Sequence, residues 1–188
     1  MGNTSDTFDI LIRDAQALDQ DVVHQLILEA YQQYEAVLPA ELWDKYKESI
    51  GTAVYGEGPE ARIIAIIKDE IVGSVLIFRS SDIAYGQPGI DSPIIRLLAV
   101  SPKARGKGVA TELIKESVRR TIAWGAATLH LHTSDMMESA VRLYERLGFE
   151  RAYDKDLQNG NTLVKSYWLR LSETAILNNQ DDYIAGRN

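Results

Sequence analysis

Apolar positions along the chain follow two different spacings, which predict helices and strands. Between residues 22 and 37 they recur every three or four positions, as in a helix that buries one face. This stripe comprises Val22, Val23, Leu26, Ile27, Ala30, Tyr31, Tyr34 and Val37. A second helix is predicted after Pro39, since proline suits a first helical turn. Its inward positions are Leu42, Trp43, Tyr46 and Ile50. Two later helices are predicted to end at Gly125 and Gly148, because glycine commonly follows the last turn.

Shorter runs rich in β-branched residues predict the strands. The runs are Phe8–Arg13, Arg62–Lys68, Ile71–Ser80, Ile94–Val100, Thr128–Thr133, Phe149–Asp154 and Leu163–Leu171, with a turn at Asn159-Gly160 before the last. The resulting order, β-α-α-β-β-β-α-β-α-β-β, needs both hairpins and crossover helices. It therefore predicts an α/β protein with a mixed sheet.

The composition is that of an ordinary soluble domain. Of the 188 residues, 45% are hydrophobic and 25% are charged, close to the globular average. We therefore expect one domain over residues 1–188, with its core at 8–171 and a polar tail at 172–188. The chain contains no cysteine, which excludes disulfides, thiolate metal sites and a cysteine nucleophile.

Targeting signals are not evident in the sequence. The segment Met1–Asp6 lacks the apolar run of a secretory signal. No stretch approaches the ~20 apolar residues that a membrane span needs. We therefore expect a cytoplasmic protein without a membrane partner, present as a monomer or homodimer.

The net charge of −7 is unevenly distributed. Residues 1–60 carry twelve Asp or Glu against three Lys or Arg, a net of −9. Residues 94–111 contain Arg96, Lys103, Arg105 and Lys107 and no acidic residue. A short basic segment in an acidic chain favours a small anionic ligand over a nucleic acid, whose binding proteins are broadly basic.

The segment Arg105-Gly106-Lys107-Gly108 lies between a predicted buried strand and a helix start. The free N–H groups of a helix N-terminus, with glycines that let a phosphate approach, make an anion site. The segment is not a Walker A loop, because glycine follows Gly106-Lys107. The dinucleotide fingerprint is also incomplete, because Thr111 stands at its third glycine position. On this segment alone, a solvated basic loop without a ligand is the alternative.

Two segments together resemble the GCN5-related N-acetyltransferase (GNAT) family. Arg105-x-x-Gly108-x-Ala110, after Leu97–Val100 and Ser101-Pro102, resembles the coenzyme A motif of the family. Ala140–Phe149 resembles its second core motif, a helix that ends at glycine before an aromatic strand entry. The resemblance implies a GNAT-like α/β fold with a mixed, mostly antiparallel sheet of about seven strands flanked by helices. It also implies acetyl transfer from acetyl-CoA to an amine, without a metal.

The resemblance further implies the site residues. Backbone groups of Leu98, Ala99 and Val100 would pair with the pantetheine arm of the coenzyme like an added strand. The pyrophosphate would lie close to Thr111, on the backbone amides of Arg105, Gly106, Lys107, Gly108, Val109 and Ala110. Tyr144 would be the catalytic residue, near the thioester sulfur. Met137 stands where the family often has asparagine.

The residues themselves leave several functional roles unassigned. For Tyr144 the alternative is a core aromatic on an amphipathic helix. No general base stands out, and the candidates are Glu29, Glu35, Asp135 and His132. His130 and His132 share one face of a strand; such a pair can hold a metal, but sheet packing is the favoured explanation.

The resemblance implies that the first two helices and neighbouring loops help to shape the acceptor side, and in this sequence they lie in the acidic first segment. Its charges alternate with the aromatic residues Tyr31, Tyr34, Trp43, Tyr46 and Tyr55. Acids and aromatics can attract and enclose a cationic amine. We therefore expect a small amine, a polyamine, or a protein lysine or N-terminus as the acceptor. The alternative is a solvated helix face over core aromatics. The competing function is a non-catalytic coenzyme A-binding or regulatory domain on the same fold.

Overall fold

The computed structural model describes residues 9–159 and 161–178. In this part of the chain the helices are α1 (Gln20–Tyr31), α2 (Ala40–Tyr55), α3 (Ser81–Tyr85), α4 (Val109–Ala123) and α5 (Glu138–Arg146). The strands are β1 (Leu11–Asp14), β2 (Ala61–Ile67), β3 (Glu70–Phe78), β4 (Ile94–Val100), β5 (Thr128–Thr133), β6 (Glu150–Arg151), β7 (Leu157–Asn159) and β8 (Thr162–Arg170). Phe8, Gly160 and residues 179–188 of the predicted tail lie outside the described residues.

The strands form a mixed sheet in the order β1-β2-β3-β4-β5-β8-β6, and β7 pairs with β8. Antiparallel pairing joins β1 to β2, and joins β5, β6 and β7 to β8. The pairing of β4 with β5 is parallel and includes Ile94 opposite His130. The prediction of an α/β fold with a mostly antiparallel sheet flanked by helices is confirmed.

The described residues divide into two compact units. The first comprises residues 9–56, 62–75 and 97–113, and its fully buried side chains include Ile27, Ile50, Ile63, Ile64 and Leu113. The second comprises residues 57–61, 76–96, 114–159 and 161–178, with Leu76, Ile77, Ile94, Ile114, Leu129 and Leu131 fully buried. Burying each such aliphatic side chain stabilises the fold by about 1.5–3 kcal/mol. The assignment of one domain stays a prediction.

Three residues predicted to face the core are exposed: Val22 by 50%, Val37 by 62% and Leu42 by 42%. Val37 lies beyond the end of α1, where a helical period no longer determines which residues are buried. Val22 and Leu42 occupy the first turns of α1 and α2. In the predicted tail, Ile176 is buried. Among the described helices, none combines the length and the apolar character needed to cross a bilayer.

Candidate functional site

The C-terminal half of β4, in the first unit, has a break at Leu97. This buried residue has a φ of +54°, in the left-handed region that a branched side chain seldom adopts. The β4–β5 register recorded at Ile94 and Ile95 precedes it. Strained non-glycine residues of this kind concentrate at binding and active sites. The sequence carries no signal for the break, because a leucine in an apolar run predicts regular strand.

The start of α4 is held against β3 by a close approach at Gly73. A Cβ at this position would lie 2.7 Å from Val109 Cγ1 and 3.2 Å from the Ala99 carbonyl oxygen. Ser101 N also donates to the Val72 carbonyl at 2.8 Å, which fixes the chain as it leaves β4. These contacts determine where the first turn of α4 lies.

The loop between β4 and α4 ends in two glycines with positive φ. Gly106 has a φ of +76° and Gly108 a φ of +82°. Apart from the glycine itself and its two chain neighbours, no described residue has a heavy atom within 4 Å of the Cβ position at either glycine. The glycines are therefore required by backbone conformation, and the space beside them is open. Gly108 O accepts from Glu112 N at 3.1 Å, so the first amides of α4 point out of the helix end toward that space.

The four basic residues of the 94–111 segment have different surroundings. Lys103 forms an ion pair with Glu70, which offsets its charge. Arg105 Nη2 donates to the Ala30 carbonyl at the end of α1, at 3.4 Å. Arg96 belongs to the second unit and donates to the Ala84 carbonyl there. Arg105 and Lys107 stand on either side of Gly106 in the glycine loop.

Helix α1 contacts the C-terminal half of β4 through Tyr31. The Tyr31 hydroxyl donates to the Leu98 carbonyl at 3.0 Å, and a carbonyl oxygen can accept a second hydrogen bond. The Tyr31 ring also contacts the rings of Tyr34 and Tyr46, at 5.7 and 5.8 Å between centroids. Burial raises the pKa of Tyr34, and the nearby Arg105 partly offsets that rise. The sequence identified Tyr31 as an acceptor-side aromatic but not as a contact of β4.

The acidic residues on α1 and α2 are exposed, whereas Asp19, just before α1, is buried and pairs with Arg13 at 2.7 Å. Asp21 accepts from the Tyr55 hydroxyl at 2.7 Å, and Asp44 pairs with Lys47 at 2.9 Å. Trp43 is buried and stacks on Tyr46. These contacts favour the interpretation of a solvated face over core aromatics for these residues.

Tyr144 lies on α5 in the second unit, so the predicted site residues are divided between the units. Its side chain is 8% exposed and its ring lies 5.9 Å from that of Phe149. Leu98 to Thr111 all belong to the first unit. Packing against Phe149 fits the core interpretation of Tyr144 as well as the catalytic one.

The candidates for the general base differ in burial. Glu29 accepts from Gln25 at 3.1 Å on an exposed surface, Glu35 is exposed, and Asp135 is exposed and pairs with Lys165. Both ring nitrogens of His132, in contrast, are buried and lack a hydrogen-bond partner among the described residues. Burial, followed by the charge of neighbouring His130, lowers the pKa of His132 to about 4. It is therefore a neutral imidazole at physiological pH.

The sequence of the chain is similar to that of known acetyltransferases. Residues 21–149 match the model of the Acetyltransferase (GNAT) family. The chain is 29% identical over 115 residues to N-alpha-acetyltransferase 30 of Xenopus laevis, covering 60% of this chain and 41% of that protein. It is also 29% identical over 115 residues to the Schizosaccharomyces pombe protein of the same name, covering 61% and 74%. The chain thus spans less than half of the Xenopus relative.

Solved structures of low sequence identity share the fold. An acetyltransferase of the GNAT family from Streptococcus agalactiae superposes with a TM-score of 0.66 at 14% identity, covering 87% of this chain and 96% of that one. PaiA N-acetyltransferase from Thermoplasma acidophilum, in complex with coenzyme A, gives 0.61 at 13% identity, covering 84% and 98%. At these identities the likeness concerns the fold alone.

Proposed function

Because the chain belongs to the acetyltransferase (GNAT) family, we propose that it is an acetyl-CoA-dependent N-acetyltransferase that moves the acetyl group directly to a primary amine. The observation that carries the proposal is the loop at Gly106 and Gly108. Its left-handed glycines, the open space beside them and the outward amides of α4 fit a pyrophosphate.

In this proposal the coenzyme lies along the loop and the end of β4. The amides of Arg105 to Ala110, with Thr111 close by, hold the pyrophosphate. The side chains of Arg105 and Lys107 add positive charge. Backbone groups of Leu98, Ala99 and Val100 pair with the pantetheine arm, and the Leu98 carbonyl can do so while it accepts from Tyr31.

Acetyl transfer requires two proton movements. The neutral amine nitrogen attacks the thioester carbonyl carbon, a C–N bond forms, the C–S bond breaks and the sulfur leaves as a thiolate. The nitrogen loses one proton to a base or to water, and the thiolate gains one. Tyr144 is the proposed donor at the sulfur. Since a tyrosine has a reference pKa of ~10 against ~8.5 for a thiol, stabilisation of the thiolate by a hydrogen bond is its main contribution.

The acceptor class follows from the chemistry and from the relatives. A primary amine of a small molecule, a polyamine, a protein lysine or a protein N-terminus could take the acetyl group. Relatives that are N-alpha-acetyltransferases support the α-amino group among these. The cytoplasmic location, the monomeric or homodimeric state, and the lack of a metal, nucleic-acid or membrane partner stay predictions.

The coenzyme site is tested by placing a carboxylate in the loop. We expect Gly108→Asp to weaken acetyl-CoA binding at least about 10-fold in calorimetry, because two like charges ~4 Å apart repel by several kcal/mol near a protein surface. Gly125→Asp is the matched control: Gly125 also has a positive φ, +77°, and open surroundings, but lies beyond the opposite end of α4.

Equal binding by the two variants would remove the loop from the coenzyme site. Thermal unfolding of both variants separates a folding defect from a binding defect, since both place a non-glycine residue at a left-handed position.

A further inference from the structure

The last two residues of α1, in the first unit, contact both parts of the proposed coenzyme site. The Tyr31 hydroxyl donates to the Leu98 carbonyl of β4 at 3.0 Å. The Ala30 carbonyl accepts from Arg105 Nη2 of the glycine loop at 3.4 Å. These contacts join residues that are 67 and 75 positions apart. The end of α1 therefore connects the strand and the loop, although neither of them follows the helix directly in the chain.

The Leu98 carbonyl points to the edge of β4 that faces away from β3. The backbone hydrogen-bonding groups of successive strand residues point alternately to the two edges of a strand. Ser101 N donates to the Val72 carbonyl of β3, and Ala99 O lies 3.2 Å from the Cβ position of Gly73 on the same strand. Residues 99 and 101 therefore face β3. Leu98 faces the opposite edge, where an extended ligand can add like a strand.

The hydrogen bond from Tyr31 lies directly beside the break in β4. Leu97 has a φ of +54°, and such a conformation persists only where the surrounding structure holds it. Tyr31 is 8% exposed, and its ring contacts the rings of Tyr34 and Tyr46. The donor is therefore itself held in place. A fixed donor on the Leu98 oxygen fixes the orientation of the peptide group that follows the break.

We propose that Tyr31 is a positioning residue for the pantetheine arm, because its hydroxyl holds the Leu98 carbonyl in the orientation that an amide of the arm requires. The inference rests on the proposed function and deepens it. A carbonyl oxygen has two lone pairs, so the Leu98 oxygen can accept from Tyr31 and from an amide N–H of the arm together. Since this carbonyl is already oriented in the free protein, binding of the coenzyme does not have to order it.

Tyr31 and Arg105 should then act on different parts of the coenzyme. Tyr31 bonds to β4 and affects the arm, whereas Arg105 belongs to the loop and affects the pyrophosphate. The alternative is that the Tyr31 hydroxyl only satisfies its own need for a partner, as buried tyrosines usually do. In that case its removal would change the stability of the protein and leave the affinity for the coenzyme as it is.

The test compares acetyl-CoA with 3′-phospho-ADP, the part of coenzyme A that keeps the pyrophosphate and lacks the arm. Calorimetry gives the affinity of both ligands for the wild type, Tyr31→Phe and Arg105→Gln. We expect Tyr31→Phe to weaken acetyl-CoA binding by about 3- to 10-fold, the effect of one lost hydrogen bond, and to leave 3′-phospho-ADP binding unchanged. Arg105→Gln should weaken the binding of both ligands.

Matched variants separate positioning from folding. Tyr55→Phe removes a hydroxyl that donates to Asp21 Oδ1 at 2.7 Å, in the first turn of α1, and should bind both ligands like the wild type. Tyr31→Met also lacks the hydroxyl, and its flexible side chain can fill the space of the ring. It repeats the measurement if Tyr31→Phe does not fold. Thermal unfolding of every variant separates a loss of stability from a loss of affinity.

Steady-state kinetics adds a readout that a structural role would not change. With a primary amine as acceptor, Tyr31→Phe should raise KM for acetyl-CoA by the same factor as the affinity falls, while kcat stays unchanged, because binding alone is weakened. A fall in kcat with an unchanged KM would overturn the inference and assign the hydroxyl to the chemical step.

The outcomes distinguish this inference from the function on which it rests. Unchanged acetyl-CoA affinity in Tyr31→Phe, or an equal loss of affinity for both ligands, would contradict the positioning role and leave the acetyltransferase proposal standing. If the wild type binds acetyl-CoA but acetylates no primary amine, the proposed function is contradicted, and the two affinities still decide the role of Tyr31. If the wild type does not bind acetyl-CoA, both are contradicted.

Discussion

Gly73 has a packing role that its position within a strand would not suggest. A methyl group there would come within 2.7 Å of Val109 Cγ1, closer than real contacts allow, and within 3.0 Å of Leu113 Cδ1, which is tighter than most. The absence of a side chain lets α4 approach β3 and places the first turn of that helix. The residue acts on the glycine loop through this packing.

We predict that Gly73→Ala destabilises the protein by about 1–3 kcal/mol, because overpacking forces side chains and backbone to shift. Acetyl-CoA affinity should fall as well, since the start of α4 moves. Denaturant unfolding and calorimetry measure the two effects. Ser74→Ala is the matched neighbour: its buried hydroxyl has no hydrogen-bond partner among the described residues, so its removal should be neutral or stabilising. Equal effects of the two changes would refute the packing argument.

Helix and strand boundaries were predicted well where periodicity is long, and poorly where elements are short. β4 and β5 have the bounds predicted for them, and α4 ends at Ala123, shortly before the predicted stop at Gly125. The predicted strand Phe149–Asp154 is reduced to Glu150–Arg151, because the chain then turns at residues 153–155. β7 is not among the predicted strands: only its last residue, Asn159, belongs to the predicted turn, and its three residues are too few to show an alternation.

Helix α3 lies between two predicted strands, where no helix is predicted, although its ends carry a recognisable signal. The Ser80 hydroxyl accepts from Ile83 N at 3.3 Å, as an N-cap does, and Gly86 ends the helix with a φ of +67°. A helix of five residues is too short to show a hydrophobic period. Ser80 and Gly86 are therefore the sequence signals that indicate it. Because α3 is not predicted, the packing of its Tyr85 against Arg96 and His132 is not predicted either.

In the candidate site, the sequence predicted the loop but not the break in β4. The glycines and basic residues form a local pattern, so the sequence indicated an anion site there, with a solvated loop as the alternative. Leu97 owes its left-handed conformation to the surrounding structure, and the contact of Tyr31 with Leu98 joins residues far apart in the sequence. Neither follows from local propensity.

Strand β5 makes the stability depend on pH through its two histidines. Burial lowers the pKa of both His130 and His132 to about 4, below the 6.5 of an unfolded chain. Between pH 6.5 and 4 the unfolded state therefore binds protons first, and stability falls as pH falls. Each group contributes at most about 1.4 kcal/mol per pH unit in this window.

We expect the double variant His130→Gln, His132→Gln to show a flatter decline of the melting temperature than the wild type between pH 6.5 and 4. The charged groups that affect these histidines, Lys155 and Asp154 beside His130 and Arg96 and Asp156 beside His132, are present in both proteins. If the melting temperatures of the wild type and the double variant fall in parallel, groups other than these histidines determine the acid sensitivity.

Across the whole molecule, acidic and basic residues are concentrated in different segments. The net charge of −7 does not show this distribution. The acidic residues concentrate in the first 60 positions, and Arg105 and Lys107 accompany the glycine loop. An anionic coenzyme would therefore bind through a local positive field within an acidic protein. Salt screens such a field, since the screening length falls from about 10 Å at 0.1 M to about 3 Å at 1 M.

We predict that acetyl-CoA affinity falls about 3- to 10-fold between 0.1 M and 1 M salt, because screening removes much of this attraction. Arg105→Gln should reduce both the affinity at low salt and the salt dependence. Lys103→Gln should have a smaller effect, because Glu70 already offsets the charge of Lys103. Calorimetry at a series of salt concentrations provides the comparison, and equal slopes for the two variants would count against the assignment of Arg105 to the coenzyme.

The most direct test of the central claim is a single assay that follows both products of acetyl transfer. Purified protein is incubated with acetyl-CoA and a peptide with a free N-terminus, while thiol release is recorded and the peptide is analysed by mass spectrometry. The account predicts that each thiol released is matched by one acetylated amine, and that Gly108→Asp lowers both together. Tight acetyl-CoA binding without either product on any primary amine would contradict it and would indicate a non-catalytic coenzyme A-binding domain.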